Sequence, residues 1–398
     1  MKILELNVRG FRSLKDVIWK PGDLNVVIGP NGSGKSNLLR FLELVCIAAQ
    51  GSLGKHIQSL GGMDPLLWDG KATEIEWRLD CSPVEQWRNP SRESLTYMTT
   101  LAQVGKSSRY RVEQEILGNY HRVKTGKKSA PFKLIDRQGQ KAYIFDEKDL
   151  CLVAPEELLS EEETLLSMAK GPFGYNKLIP PYRREMAAWS VYQDLHVNQD
   201  SPIRQAVVAR SEKRVDPDGQ NLISVLHTLY TGDREFKQEI NAAMNAAFGD
   251  DFEELVFPPA ADQRIQLRVR WKSLKREQSA ADLSDGTLRF LFLLTVLASP
   301  DAAPLIAIDE PETGLHPSML PIVAEYAVDA AQRSQVILTT HSPQLLDAFK
   351  VNTTKTTVAL RQDGQTVLNV LADEVLREWL KGYSLGALFK SGELESLA

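Results

Sequence analysis

The sequence predicts an α/β fold of the P-loop kind, with an antiparallel β lobe, a mostly parallel sheet lobe and an inserted helical lid. Three observations predict it. The run Gly29-Pro-Asn31-Gly32-Ser33-Gly34-Lys35-Ser36 fits the Gly-x-x-x-x-Gly-Lys-Ser phosphate loop, with an apolar strand pattern before it at Asn25 to Ile28 and helical spacing of Leu38, Leu39, Leu42 and Val45 after it. Leu305 to Glu310 and Gln335 to Thr340 read as buried strands joined by a helix from about Ser318 to Ala331. This βαβ unit puts Glu310 and His341 at strand C-termini, where open α/β sheets place their ligands. Thr73 to Leu79, Leu95 to Val104 and Arg109 to Ile116 alternate apolar with polar, as half-buried antiparallel strands do.

Taken in order, residues 1–150 form an N-terminal lobe of strands around the phosphate loop. Residues 151–260 form the lid, with helices expected at Glu156 to Met168, Ser201 to Arg210, Leu222 to Tyr230 and Glu235 to Ala247, before a strand at Glu253 to Val256. Residues 261–398 form a C-terminal lobe that opens on a strand from Arg264 to Trp271. Ala281 to Arg289 then starts an apolar helix running to about Ala298, roughly 20 Å long and enough to return the chain to the strand carrying Asp309. The tail from Val367 to Leu388 reads as a strand and closing helices. No sustained heptads, internal repeat or low-complexity segment interrupts this plan, which excludes a long coiled-coil arm.

The chemistry of these stretches is complementary. Glycines let backbone N–H groups cradle phosphate oxygens, Lys35 reaches the β and γ phosphates, and Ser36 binds Mg²⁺. Asn31, Gly32, Ser33, Gly34 and Asn37 complete the nucleotide-binding turn. At the other strand end Asp309 would hold the Mg²⁺ shell and Glu310 would orient or deprotonate the attacking water. Two acids at a strand end are weak alone, but with the loop they read as one split ATP site.

These residues resemble a known family. Leu283-Ser284-Asp-Gly286 looks like the signature motif of ABC-type ATPases, Asp309-Glu310 like their Walker B, Glu312 to Leu315 like their D-loop and His341 like their switch histidine. The chain is similar to the SMC, RecF and OLD branch through Gly10-Phe-Arg12-Ser13 near its start, Gly314-Leu-His316-Pro317 and Thr340-His341-Ser342-Pro343, and to the "predicted ATPase" group of that branch through Asp218-Gly-Gln-Asn221-Leu222. The resemblance implies an ABC-ATPase head with a RecA-like sheet lobe, and a nucleotide sandwiched between two heads, the loop of one facing Ser284 and Gly286 of the other. It further implies that Arg12 contacts nucleotide phosphate and that His341 senses the γ-phosphate and supports catalysis. An exposed hairpin arginine and a core histidine are the alternative readings of these two residues. One departure stands out: no convincing Q-loop glutamine follows the first helix, where Gln58 is the nearest and Lys71 to Asp80 has none.

Composition bounds the reading. At 398 residues and 43% apolar content the chain can bury a core of two or three lobes. A net charge of −5 denies the whole-surface basicity of an obligate DNA coat but leaves local patches open. Two stretches are candidates, His121 to Lys133 and Arg264 to Arg276, although the second also alternates as a half-exposed strand should. Tyr182-Arg183-Arg184 with Trp189 and Tyr192 has the composition of a single-strand platform, while the helical spacing of the two latter aromatics suits a core. Cys46, Cys81 and Cys151 have no C-x-x-C pairing and read as reduced thiols. Asp216-Pro-Asp218-Gly reads as a turn. The longest apolar run, Phe290 to Ala298, is too short to span a bilayer, so a cytoplasmic protein without a membrane partner is expected. Fewer than fifty residues follow Lys350, too few for the TOPRIM nuclease domain that OLD proteins append, so no intrinsic nuclease is expected. Two functions fit: an ATP-gated dimeric switch controlling a separately encoded effector, a nuclease or toxin, as in antiphage defence, or a RecF-like DNA clamp in recombination or repair. A transporter ATPase is disfavoured by the missing Q-loop and by Gly314-Leu-His316-Pro317.

Overall fold

Leu6 and Val8 of the opening strand are buried while Asn7 and Arg9 turn outward, and this alternation builds the first part of the molecule. The structure, a computed structural model, describes residues 1–84, 94–105, 107–119, 132–155, 158–168, 176–260, 263–349, 354–372, 376 and 383–396. In chain order it begins with β1 (Ile3–Phe11), β2 (Leu14–Trp19), β3 (Leu24–Ile28), α1 (Lys35–Gln50), α2 (Leu53–Ser59), β4 (Glu74–Cys81), β5 (Leu95–Gln103), β6 (Tyr110–Asn119), β7 (Phe132–Gln138), β8 (Lys141–Asp146) and β9 (Cys151–Val153). There follow α3 (Leu165–Met168), α4 (Ile179–Ala187), β10 (Ser190–Tyr192), β11 (Val207–Val208), α5 (Leu222–Gly232), α6 (Arg234–Phe248), β12 (Phe252–Val256), β13 (Pro259–Ala260), β14 (Arg264–Ile265), β15 (Arg268–Trp271) and β16 (Gln278–Ser279). The last third contains α7 (Asp285–Ala298), β17 (Leu305–Asp309), α8 (Leu320–Ala330), β18 (Gln335–Thr340), α9 (Pro343–Ala348), β19 (Lys355–Gln362) and β20 (Gln365–Val370).

The chain divides into two compact units, 1–22 with 29–189 and 357–370, and 23–28 with 190–356 and 371–398. These cut the chain differently from the division 1–150, 151–260 and 261–398, because the former lid segment is shared out. Its α4 lies against α1, where Gln50 Nε2 donates to the Ala187 carbonyl at 2.9 Å, and its α5 and α6 belong to the second unit.

The first unit is an antiparallel sheet in the order β2-β1-β4-β5-β6-β7-β8-β9. Phe41 of α1 meets Phe11 and Trp77 edge to face, at 5.6 and 5.9 Å between ring centroids, and so locks that helix onto the sheet. The expected helix from Glu156 to Met168 contracts to α3, and residues 156 and 157 lie outside the described residues. Buried Arg137 of β7 is the reason: its guanidinium donates to the Ser160 and Glu163 carbonyls at 2.6 and 2.8 Å, and the Ser160 hydroxyl accepts from the Glu162 and Glu163 amides. These groups are thereby withdrawn from a helical ladder.

The second unit is built on parallel strands ordered β10-β17-β18-β3. Both faces of β3 and β18 are buried, which explains their unbroken apolar runs. Register sets the C-terminal ends side by side: Tyr192 opposite Ile308, Asp309 opposite Thr339, and Thr340 opposite Ile28. The expected helix from Ser201 to Arg210 is instead a single 3-10 turn at Pro202–Arg204 followed by β11, whose β-branched Val207 and Val208 pair with β14. The expected strand Arg264 to Trp271 is interrupted at Gln266 and Leu267, where the Gln266 amide bonds to the Pro258 carbonyl and the Leu267 carbonyl accepts from Ala280. Among the described residues no helix is long and apolar enough to cross a membrane.

Candidate nucleotide site

The phosphate loop belongs to the first unit and leaves β3 at Ile28. Its glycines are required by space. A Cβ on Gly29 would stand 2.1 Å from the Ala359 carbonyl oxygen, and one on Gly34 would stand 1.9 Å from Thr366 Oγ1, with φ at +104°. Gly34 caps α1 without a side chain, so the first-turn amides face outward with no side-chain acceptor from the cap, the arrangement that binds anions. Lys35 is buried, its Nζ 2.7 and 3.2 Å from the Gly29 and Pro30 carbonyl oxygens. Ser33 Oγ is buried without a protein partner.

A second layer holds the loop. Thr366 of the hairpin β19–β20 donates to the Ser33 carbonyl at 2.8 Å and lies 2.7 Å from Ser13 Oγ, which also accepts from Asn37 Nδ2 at 2.8 Å. Thr366→Val removes the donor with little change in shape. We expect KM for ATP to rise about 3- to 10-fold, the worth of one hydrogen bond, with kcat changed less. Steady-state phosphate release measures both, and an unchanged KM would remove Thr366 from the support of the loop.

Arg12 is half-buried at φ +47°, its amide bonded to the Leu66 carbonyl at 2.8 Å, its guanidinium 5.9 Å from the Phe11 ring centroid. Its Nε is buried without a protein partner. Burial, then the neighbouring Arg40, lowers its pKa. A desolvated cation of this kind suits an anionic ligand, and the exposed-hairpin reading fails.

Asp309, Glu310 and His341 gather in the second unit. Asp309 ends β17 and accepts from the Thr339 hydroxyl. Glu310 takes φ +47° immediately before a proline while its amide still bonds Thr339 O at 3.1 Å, so the chain turns sharply at the strand end; such strain gathers at working sites. Glu310 Oε1 lies 3.0 Å from His341 Nδ1, and the imidazole is 47% exposed, which removes the core-histidine reading. Glu312 Oε1 accepts from the Thr340 hydroxyl and from the His341 amide, tying the turn after β17 to the end of β18. Burial raises the Glu312 pKa against these two donors.

The sequence reading missed one residue here. Gln193 follows the three-residue β10 and lines a cavity of about 400 Å³ with Leu195, Arg289, Asp309, Glu310 and Thr313. Gln58, the nearest glutamine after the first helix, is exposed on α2. In the second unit the Asp309 carboxylate and the Gln193 amide are hard oxygen donors of the kind that fits Mg²⁺, which takes few protein ligands and completes its shell with phosphate and water; Ser36 of the first unit carries a hard hydroxyl oxygen.

Ser284 caps α7, accepting from the Thr287 amide at 3.1 Å, and is itself exposed. A Cβ on Gly286 would stand 2.6 Å from the Gly314 carbonyl oxygen, so the signature turn packs backbone to backbone against the turn that follows Glu310. The nucleic-acid candidates fare otherwise. Tyr182, Trp189 and Tyr192 are buried, so none offers a stacking face. Arg268 and Arg270 pair with Glu277 and Glu254, leaving Arg264, Lys272, Lys275 and Arg276 exposed, and His121 to Pro131 lies outside the described residues. Asp216 to Gly219 is a turn closed by a 2.8 Å backbone bond. Cys46 and Cys81 are free and buried, Cys151 free and exposed.

Residues 164–347 match the family model described as "AAA domain, putative AbiEii toxin, Type IV TA system", and residues 1–77 match "AAA ATPase domain". A DNA replication and repair protein RecF of Chloroherpeton thalassium is 42% identical over 77 residues, 19% of each chain. An OLD nuclease of Thermus scotoductus is 22% identical over 98% of this chain and 69% of its own length. Among solved structures, a Smc head bound to the C-winged helix domain of ScpA superposes with TM-score 0.56 at 14% identity over 95% of this chain and all of that one. A Smc head domain of Pyrococcus furiosus with an extended coiled coil, bound to the C-terminal domain of ScpA, gives 0.53 at 13% identity over 96% and 98%. With the phosphate loop, the Asp309–Glu310 strand end and the exposed His341 in this fold, the chain resembles the SMC/RecF/OLD-like ATPases.

Proposed function

We propose that the protein is a slow, regulatory ATPase that dimerises around ATP and, in that state, controls a separately encoded effector, a nuclease or toxin, in antiphage defence. The observation that carries the reading is the Glu310–His341 pair, 3.0 Å apart at neighbouring strand ends beside Asp309. Lys35 and Ser36, with the loop amides from Asn31 to Asn37, hold Mg-ATP together with Asp309, and Arg12 meets a phosphate oxygen. Glu310 takes the proton of the attacking water, and His341 keeps its carboxylate aimed and supports the γ-phosphate. Gln193 senses the metal. The exposed Ser284 with Gly286 serves the nucleotide of a second copy, since a helix N-terminus offers unpaired amides to an anion. The toxin and toxin–antitoxin wording of the matching family model supports the effector part.

Light scattering tests the dimer. With Mg²⁺ and a non-hydrolysable ATP analogue the mass should rise from 44.5 kDa to twice that. A mass held at 44.5 kDa would sink the sandwich.

A second reading, a RecF-like DNA clamp, is favoured by the likeness to RecF over the first 77 residues. It expects ATP-dependent duplex binding whose affinity falls steeply and linearly on a log–log plot against salt. Because Arg268 and Arg270 pair with Glu277 and Glu254, and the exposed Arg264, Lys272, Lys275 and Arg276 stand on a chain of net charge −5, we expect no such binding at low salt in a gel-shift titration; ATP-dependent, salt-sensitive binding would reverse the preference.

A further inference from the structure

We infer that Arg204 is the positioning residue of the signature turn, holding Ser284 and Gly286 in the shape that a second copy's nucleotide meets and cancelling the charge of Asp285 between them; this rests on the ATP-sandwich reading. Arg204 ends the 3-10 turn Pro202–Arg204 and is more than nine-tenths buried. Its Nε donates to the Val197 carbonyl at 2.7 Å, its Nη1 to the Ala280, Ala281 and Leu283 carbonyls at 3.1, 3.3 and 2.7 Å, and its Nη2 to the Asp285 carboxylate. The carbonyls leading into α7 are thus satisfied from inside, which leaves Ser284 and the first-turn amides on the outside.

The aspartate makes the pairing necessary. Asp285 occupies the first position of α7, between the hydroxyl and the glycine that an incoming phosphate would use, and its side chain is 65% exposed. An unpaired carboxylate there would repel the phosphate; the guanidinium neutralises it. The same segment is tied to α7 a second time, where Arg289 Nη2 donates to the Leu195 carbonyl at 3.2 Å, two residues beyond Gln193. One strap, 193–204, therefore runs from the Asp309–Glu310 cavity to the signature turn of its own chain.

Subunit mixing tests this with full-length protein. Arg204→Ala should bind ATP as the wild type does but hydrolyse it at least tenfold more slowly. Mixed 1:1 with Lys35→Ala it should recover about a quarter of the wild-type rate, since half of the dimers are mixed and each has one intact site of two. Mixed with Ser284→Ala it should recover nothing. Adding Asp285→Asn to Arg204→Ala should restore part of the lost hydrolysis, which a merely structural arginine would not allow. If Arg204→Ala melts early, Arg204→Lys, which keeps the charge but not the fork, takes its place in the same mixtures. Recovery by Ser284→Ala with Lys35→Ala, but not by the Arg204 variant with Lys35→Ala, overturns the inference while leaving the sandwich intact. No recovery by Ser284→Ala with Lys35→Ala overturns the sandwich, and the inference with it.

Discussion

Glu310→Gln is expected to bind Mg-ATP with unchanged affinity, to hydrolyse it about 10²- to 10⁴-fold more slowly, the usual worth of a positioned general base, and to accumulate as an ATP-bound dimer. The amide has the size of the carboxylate and retains an oxygen to face His341 Nδ1, so the turn at φ +47° and the 3.0 Å contact should persist. What is lost is the acceptor for the proton of the attacking water. His341→Ala should behave differently. It leaves the carboxylate in place but untethered, since Glu310 is one-third exposed and His341 Nδ1 is its 3.0 Å hydrogen-bond partner, so a smaller loss of kcat with little change in binding is expected. Retention of radiolabelled nucleotide on a filter, read beside the light-scattering mass, separates the outcomes. A Glu310→Gln chain that turns over ATP at the wild-type rate would remove Glu310 from the mechanism, and Glu312 would be the next carboxylate to test because it contacts the same histidine through its backbone.

Which parts were legible in the sequence follows from how local their causes are. The phosphate loop needs eight consecutive residues, and its glycines announce close backbone approach even though the groups they approach, Ala359 and Thr366, lie more than three hundred residues away. The strand ends at Asp309 and Thr340 were legible because strands buried on both faces leave continuous apolar runs. Gln193 was not. Its strand is three residues long, Ser190-Val-Tyr192, and it acquires meaning only through parallel pairing with Leu305–Asp309, more than a hundred residues on. The helices expected at Glu156 to Met168 and Ser201 to Arg210 failed for a related reason. In the first, Arg137 takes the Ser160 and Glu163 carbonyls; in the second, Val207 and Val208 pair with β14 while Arg204 reaches the carbonyls before α7; such long-range partners outweigh local propensity. Tyr182-Arg183-Arg184 shows the opposite case: a composition suited to stacking bases belongs here to a helix whose tyrosine is buried against Tyr97 and bonded to Cys81.

Lys35→Ala is expected to abolish measurable ATP binding at micromolar nucleotide, a loss of at least about 100-fold. Two effects act in the same direction. The ammonium would make charge-assisted hydrogen bonds to the β and γ phosphates, each worth about 1.5–3 kcal/mol, so losing both costs roughly 3 kcal/mol or more. In the nucleotide-free loop the same Nζ spans the Gly29 and Pro30 carbonyls at 2.7 and 3.2 Å, so it also closes the turn on itself. Alanine leaves those oxygens without that donor, in a loop whose glycines already carry the largest conformational entropy of any residue. Lys35→Arg separates the two effects. It keeps the charge, but its planar fork does not fit a pocket shaped around a point donor at a buried position, so binding should fall less than in Lys35→Ala yet well below wild type. Isothermal titration with Mg-ATP, with far-ultraviolet circular dichroism to establish that the variants remain folded, provides the measurement. Micromolar binding by a folded Lys35→Ala chain would mean that the loop amides and Arg12 carry the phosphates without the lysine, and the site would have to be rebuilt around that arginine, whose desolvated Nε has no protein partner to lose.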